Sequence, residues 1–571
     1  MKTKSLIAYY AALLAGALIY WFFTLIPLNF RDRTFFIHFI VLVALALLPF
    51  LHLGLRARLR QQFEQARVNR FASGQQQPGC TPFLRMFQGY NVKSLFSTRR
   101  LLLIPVVLLV LYFILGLTGT PIFQAKRYAS LITKVEGVFV DDIAEIEFYD
   151  IPTVDRESAL RLGNKRMGEM ADLVSQFDVT GDYTQINYQG RPIRVTPLEY
   201  GDIFKWLNNR ANGLPRYVRV DLISSEVDLD PIPGGMKYSE SEPLFRNIDR
   251  HLRFQYPTLI FGTPLFEIDE TATPYWITPV MTPKVGWFSG LDVTEVILTN
   301  AVNGSSDRYK IEDCPTWVDR TYPSDMILKQ LNDNGRYQSG WLNSMFGQKG
   351  VLQTTAGYNY LAINDDVYLY TGITSVASDS SNLGFVLVNQ RTKDTRFYPI
   401  SSADEMSAMA SAQGAVQEKG YISTFPILLN IEGRPTYCMA LKDNAQLVKM
   451  YAMVDAQNYQ ATAVGNSIRE TIANYTVRLA AQLSSQQDED RVVSEAVSVS
   501  GAITDIKSVV IDGNTVFYFM LDGEDAVFSA MHSIYEKLPF LQIGDTIDVD
   551  YRSESIGGLY LVEQITRADG E

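Results

Sequence analysis

The stretch "NYLAINDDVYLYTGITS", residues 359–375, holds two apolar runs around an Asn-Asp-Asp turn. Tyr360 and Ala362 alternate with Leu361 and Ile363; beyond the turn, Val367 and Leu369 alternate with Tyr368 and Tyr370. A period of two belongs to a half-buried strand, and two such runs about a polar turn predict a β-hairpin. The stretch has no histidine, cysteine or lysine, and its Asp365-Asp366 pair suits turn geometry. It is expected to build a surface, not a reacting centre.

The layout recurs at "PLFEIDETATPYWITPV" (264–280) and "ILLNIEGRPTYCMALKD" (427–443), and more loosely at "DYTQINYQGRPIRVTPLE" (182–199). Ile268, Ile363, Ile431 and Ile186 close the first strand of each hairpin. A second strand pair follows in the three clear copies, at 293–313, 383–402 and 448–465, with Asn300, Asn389 and Asp455 at the same point after an apolar strand. A helical segment then follows at 323–333, 403–420 and 466–483. The order hairpin, hairpin, helix therefore predicts duplicated modules over 256–356, 357–421 and 422–483. Ahead of them, 126–255 reads as a mixed α/β segment, with two strands and then a helix in "RESALRLGNKRMGEMADLVSQF".

The three hairpin-and-helix units resemble PepSY-type domains, small modules of bacterial envelope proteins. The phrases "GYNYLAINDDVYLYTGITSVASDSSNLGFVLVNQRT" and "FPILLNIEGRPTYCMALKD" are similar to an uncharacterised family of bacterial membrane-anchored proteins. The resemblance implies an envelope setting and no activity.

Charge is divided along the chain. Residues 1–125 carry 13 Lys/Arg and 2 Asp/Glu, whereas 126–571 carry 38 and 60. The basic head contains three uncharged runs of 26, 22 and 25 residues, each longer than the roughly 20 apolar residues that cross a bilayer. They predict three transmembrane helices, at about 5–29, 34–54 and 101–122. The loop 55–100 has nine basic residues against one acid, which places it and the N-terminus in the cytoplasm and everything after about residue 122 outside the plasma membrane.

After a charged linker at 484–493, residues 494–571 predict five strands with a short helix "HSIYEKL" between the third and fourth, the order of an OB-like barrel. Its aromatics Phe517, Phe519, Phe528, Tyr551 and Tyr560 could stack bases, but residues 491–571 hold 5 Lys/Arg against 14 Asp/Glu and would repel a polyanion. The fold class expected is thus α+β: three membrane helices, repeated β-rich modules and a terminal barrel.

Patterns for zinc, nucleotide or acyl-transfer chemistry are absent. His251 and His532 stand alone, without the spacing of a metal site. Cys314 and Cys438 read as buried free thiols, and Cys80 as a thiol of the cytoplasmic loop. The long connection "DNGRYQSGWLNSMFGQKGVLQTT" (333–355) sets Tyr337, Trp341 and Phe346 among flexible polar residues and is the candidate contact loop. The expected function is a non-enzymatic envelope scaffold or binding protein without cofactor or metal. Its expected partners are the membrane, other envelope proteins or glycan and further copies of the chain, not nucleic acid. A carboxylate-dependent envelope hydrolase with a site between repeats is the alternative, and a sensor or transport accessory subunit a second one.

Overall fold

The computed structural model describes residues 3–49, 92–145, 151–377, 381–486 and 496–567, apart from 512–513, 525, 533, 536 and 557–558. Most of the basic loop, with Cys80, lies outside the described residues.

Among the described residues one helix, α1 (Thr3–Thr24), is by itself long and apolar enough to cross a membrane. This differs from the three expected. The second run forms a shorter apolar helix, α2 (Arg33–Pro49), and the rest of that run falls outside the described residues. The third forms α3 (Val92–Leu117), which qualifies only together with α4 (Pro121–Ala129), from which it is bent by 46°. Pro121 explains the break, because it cannot donate to the carbonyl a continuous helix would offer it. α1 and α2 lie antiparallel. The Tyr9 and Tyr10 hydroxyls donate to the Leu45 and Ala46 carbonyls at 2.7 and 2.8 Å, and the Tyr20 hydroxyl lies 2.7 Å from His38 Nε2.

Beyond α4 come the helices α5 (Phe139–Asp142), α6 (Arg156–Gly168), α7 (Ala171–Val174), α8 (Ile203–Asn209) and α9 (Ile248–Gln255), and one arrangement of strands occurs four times. The first sheet is Phe177–Val179, Thr184–Tyr188, Arg191–Tyr200, Leu214–Asp221 and Val227–Met236. The second is Ile260–Phe261, Leu265–Ile268, Pro274–Val285, Ser289–Asn300 and Ser306–Lys310. The third is Leu352–Thr354, Asn359–Ile363, Asp366–Ser375, Gly384–Asn389 and Thr395–Tyr398; the fourth is Ile422–Ser423, Ile427–Ile431, Arg434–Lys442, Val448–Asp455 and Thr462–Gly465. In every sheet the two short strands pair with opposite halves of the third strand, and the fourth and fifth continue antiparallel from its other edge.

Ile268, Ile363 and Ile431 each end a second strand; in the looser copy that place belongs to Tyr188, two residues after Ile186. Asp221, Asn300, Asn389 and Asp455 each end a fourth strand. Their side-chain oxygens accept from the backbone N–H groups two and three residues ahead, at 2.8–3.1 Å. A short polar side chain thereby replaces the ladder partner the chain loses as it turns. The two-residue turns Gln189-Gly190 and Glu432-Gly433 have positive φ at both positions, the type I′ geometry whose twist matches paired strands.

Two of the helices pack on the following sheet as well as on their own unit. Met326, Ile327 and Leu331 of α10 (Ser324–Tyr337) pack on Leu369, Ile373, Val386 and Val388 of the third sheet. The alternate residues Tyr370, Phe385 and Leu387 face the core shared with α11 (Glu405–Gly414) and the fourth sheet. That is why Gly384–Asn389 is apolar on both faces. In the fourth sheet, Thr436 bonds Tyr475 of α12 (Ile468–Gln486), while the Tyr437 hydroxyl points the other way and donates to the Ala403 carbonyl. The segment 126–255 divides: Lys134–Glu136 adds in parallel to Thr395–Tyr398 of the third sheet, whereas 177–236 builds the first sheet.

The C-terminal strands Ala496–Ile511, Asn514–Leu521, Val527–Met531, Thr546–Ile556 and Leu559–Arg567 close into a barrel, with the third parallel to the fifth. The first strand pairs with the fourth through Ala502 and with the second from Ile503 onward. At this handover a Cβ on Gly501 would stand 3.0 Å from Leu521 Cβ, a crowded approach that a residue without a side chain avoids. The expected helix at 532–538 is not present among the described residues; a 3-10 turn, Leu538–Phe540, begins at its last residue. Phe519 and Phe528 are fully buried and stack at 5.7 Å, so they fill the barrel and offer no platform for bases.

Candidate functional site

The second strands of the four sheets are brought together at the centre. Thr184–Tyr188 touches Leu265–Ile268 and Asn359–Ile363, and Asn359–Ile363 touches Ile427–Ile431. Hydrogen bonds between sheets hold the junction. Asn187 donates its backbone N–H to Asp319 Oδ2 at 2.6 Å and its side-chain amide to the Asn364 carbonyl at 2.7 Å, and Asn359 donates to the Pro426 carbonyl at 3.2 Å.

Beside the junction is a cavity of about 460 Å³ to which all four units contribute. Its cationic and aromatic wall is formed by Arg194 of the first sheet, Trp276 of the second, Arg320 from the connection before α10, Tyr358 and Tyr360 of the third unit and Phe425 of the fourth. Arg194 sits between Ile193 and Val195 on a buried strand and is 6% exposed. Its Nη2 donates to Gln185 Oε1 at 3.0 Å, and its Nε is buried without a partner. Arg320 is 8% exposed; its Nη2 donates to Ser324 Oγ at 3.1 Å and to the Tyr360 hydroxyl at 2.8 Å, and its Nε is likewise unpartnered. Neither guanidinium has a carboxylate within salt-bridge distance among the described residues.

These positions perturb one another. Burial, helped by the charges of Arg320 and Arg156 and opposed by those of Tyr360 and Asp155, holds the Arg194 guanidinium down at about 10. Burial works against ionising Tyr360. The charge of Arg320, hydrogen bonds with Ser324 and Tyr358 and the charge of Arg194 outweigh it and hold the phenol below its ordinary value. The Tyr183 hydroxyl, also at the cavity, is buried and unpartnered, and burial raises its phenol. Arg194 and Arg320 are desolvated and held in place by Gln185, Ser324 and Tyr360, the conditions under which guanidinium groups bind a carboxylate or phosphate strongly.

Two acids lie behind this wall and do not line the cavity. Glu267 is fully buried, and its carboxylate accepts the backbone N–H groups of Asp319 and Arg320, both at 3.1 Å. Burial raises both Glu267 and Asp319 above the usual carboxylate range, and for Asp319 the charge of Glu267 adds to the effect. Of the acids that do face the cavity, Asp155 is paired with Lys442 at 2.7 Å and Asp182 with Arg156 at 3.0 Å, whereas Glu240 has no ion pair among the described residues and is pushed up to about 7 by burial and by the charges of Asp249, Asp182 and Glu199.

The predicted contact residues are not at this site. Tyr337 is half-buried at the end of α10, its ring 6.1 Å from that of Tyr128; Trp341 is half-buried; Phe346 is 79% exposed. Asp366 of the opening hairpin pairs with Arg391 at 2.6 Å and accepts from Asn389 at 2.8 Å, so it supports the turn. Cys314 and Cys438 are buried free thiols. Among the described residues no group of three or more His, Cys, Asp or Glu side chains is placed to hold a metal ion. The central residues were missed because each reads locally as surface charge. The available signal was a charge inside an apolar strand: Arg194 in "PIRVTPL" and Glu267 in "PLFEI".

No family model and no curated protein matches the chain.

Proposed function

We propose that the protein is a membrane-anchored extracytoplasmic binding protein of the bacterial cell envelope, whose central cavity holds an anionic group of its ligand. One observation carries the reading: Arg194 and Arg320, both more than nine-tenths buried, share a 460 Å³ cavity, and neither has a carboxylate within salt-bridge distance among the described residues. An uncompensated buried charge is costly, and a bound carboxylate or phosphate relieves that cost. Binding is favoured over carboxylate-dependent hydrolysis because such hydrolysis takes a pair of carboxylates, and of the three that line the cavity Asp155 and Asp182 already have cationic partners, which leaves Glu240 alone, while Glu267 and Asp319 lie behind the wall. The three uncharged runs cross the membrane in this reading, with the basic loop 55–100 inside and 122–571 outside.

The purified full-length protein is compared in phosphate, acetate and chloride at equal ionic strength. Phosphate or acetate is expected to raise the unfolding temperature over chloride, because a ligand that binds only the native state stabilises it by mass action. Arg194→Gln is expected to abolish the difference. An anion effect of the same size in wild type and variant would defeat the proposal. For the topology, a membrane-impermeant thiol reagent applied to intact cells is expected to leave Cys80 unlabelled.

A further inference from the structure

A second feature lies away from the cavity, where α10 meets the membrane segments. The Tyr128 hydroxyl of α4 donates to the Gly119 carbonyl at the end of α3, at 2.7 Å. The Tyr128 ring lies 6.1 Å from that of Tyr337, and Asn334 of α10 donates to the Ala129 carbonyl at 2.7 Å. The last turns of α10 therefore rest on the helix that continues the bent span. The chain leaves α10 at Tyr337 and returns beside it, where a Cβ on Gly335 would meet Leu352 and where Asn332 accepts the Thr354 N–H at 2.9 Å. Residues 338–351 thus project past the end of α10.

This projection is tied into shape. Asn343 donates its side-chain amide to the Lys349 carbonyl at 3.0 Å, and Ser344 donates to the Trp341 carbonyl at 2.7 Å. The tied loop turns Leu342, Met345 and Phe346 outward, 67%, 56% and 79% exposed. α4 behaves alike: Ala125 and Tyr128 are buried, while Ile122 and Phe123 are 55% and 70% exposed. Exposed apolar patches of this kind mark contact surfaces. The nearby charge is basic, with Lys126 and Arg127 in the last turn of α4 and exposed Arg336 and Lys349 beside the loop, although the exterior as a whole is acidic. Two apolar faces flanked by cations, one of them on the helix that continues a span, match the boundary between anionic headgroups and acyl chains.

The exterior also reaches the membrane segments at a second place. Phe288, at the tip of the long hairpin of the second sheet, packs 5.7 Å from Phe36 and 5.6 Å from Tyr112, and Trp287 donates to the Phe30 carbonyl at 2.9 Å. Together with a third contact, where Arg253 Nε donates to the Leu25 carbonyl at 2.8 Å and Trp21 packs on Phe254, these restrict how far the exterior can stand off from the bilayer.

We infer that the loop carrying Leu342, Met345 and Phe346, together with the Ile122–Phe123 face of α4, is immersed in the headgroup region of the membrane and binds lipid. The occupant of the predicted contact loop is then the lipid surface. This inference rests on the membrane anchoring proposed above and is independent of the cavity.

The full chain, with Cys80→Ser, is reconstituted into vesicles of phosphatidylcholine and phosphatidylglycerol. An environment-sensitive fluorophore is attached to Phe346→Cys or Leu342→Cys. Leu14→Cys in α1 serves as the lipid reference, and Phe540→Cys, on the barrel and also 79% exposed, as the solvent reference. At positions 346 and 342, nitroxide-labelled lipid is expected to quench at least fivefold more than at 540, and iodide at least fivefold less. Probes at 346 and 342 that respond like 540 while Leu14→Cys is lipid-quenched would overturn the inference and leave the anchoring intact. A Leu14→Cys probe indifferent to nitroxide lipid would overturn both.

Discussion

Arg320 donates to the Tyr360 hydroxyl at 2.8 Å while its guanidinium carbon lies 4.6 Å from the centroid of the same ring. One cation thus stabilises the phenol both through its oxygen and through its π face. The contact joins the connection before α10 to the second strand of the third sheet, so it also ties two repeats together.

Tyr360 is therefore expected to ionise at lower pH than an ordinary tyrosine. An ultraviolet difference titration of wild type against Tyr360→Phe isolates its phenolate absorbance. Arg320→Met should move that absorbance to higher pH. If the Tyr360 phenolate forms at the ordinary tyrosine pH in wild type and does not move in Arg320→Met, the coupling is absent.

The acids behind the wall predict a pH slope. Glu267 and Asp319 have folded-state values raised above their unfolded ones, by burial and, for Asp319, by the charge of Glu267. Their stabilising contribution is thus complete below the unfolded carboxylate range and is lost as pH rises through the folded values. The unfolding temperature should fall as pH is raised from the carboxylate range toward and beyond neutrality. Asp319→Asn should flatten that fall, as a differential scanning series would show; an unchanged slope would mean that the pair does not titrate in this way.

The repeated strand-end residue is not equally important in every copy. Asp455 is fully buried and its carboxylate takes Arg434 at 2.6 Å as well as two backbone N–H groups. Asp455→Ala should cost about 2–4 kcal/mol, because it strips the partner from a half-buried cation and leaves buried donors unmet. Asn300→Ala, which loses only the turn bonds, should cost about 1 kcal/mol. Hydrogen exchange over 448–465 and over 293–310 measures the two; equal losses would contradict the ranking.

The barrel can be destabilised separately. Gly501→Val would press a side chain on Leu521 and should cost about 1–3 kcal/mol through overpacking. All six tryptophans lie outside residues 494–571, so tryptophan fluorescence is blind to the barrel. The variant should lose exchange protection over 496–567 while the fluorescence midpoint stays in place. A joint shift of both signals would show that the barrel and the sheets unfold together.

What the sequence by itself determined is what depends on neighbours along the chain. The opening stretch folds as Asn359–Ile363 and Asp366–Ser375 because a period of two is imposed by the backbone of any strand. Asn300, Asn389 and Asp455 could be aligned because an Asx side chain ends a strand through its own next three residues. The five barrel strands were legible for the same reason, and the helix expected before the fourth is not present among the described residues, because seven residues leave helical propensity too weak to prevail over tertiary context. Only the tertiary structure decided that α10 packs on the third sheet, that Asp221 belongs to the series and that α3 breaks into α4. It alone brought Arg194, Arg320 and Tyr360 to one cavity across 166 positions of sequence, from 194 to 360. Burial and electrostatic coupling arise between segments distant in the chain, and a charged side chain carries no local mark of whether water or protein will surround it.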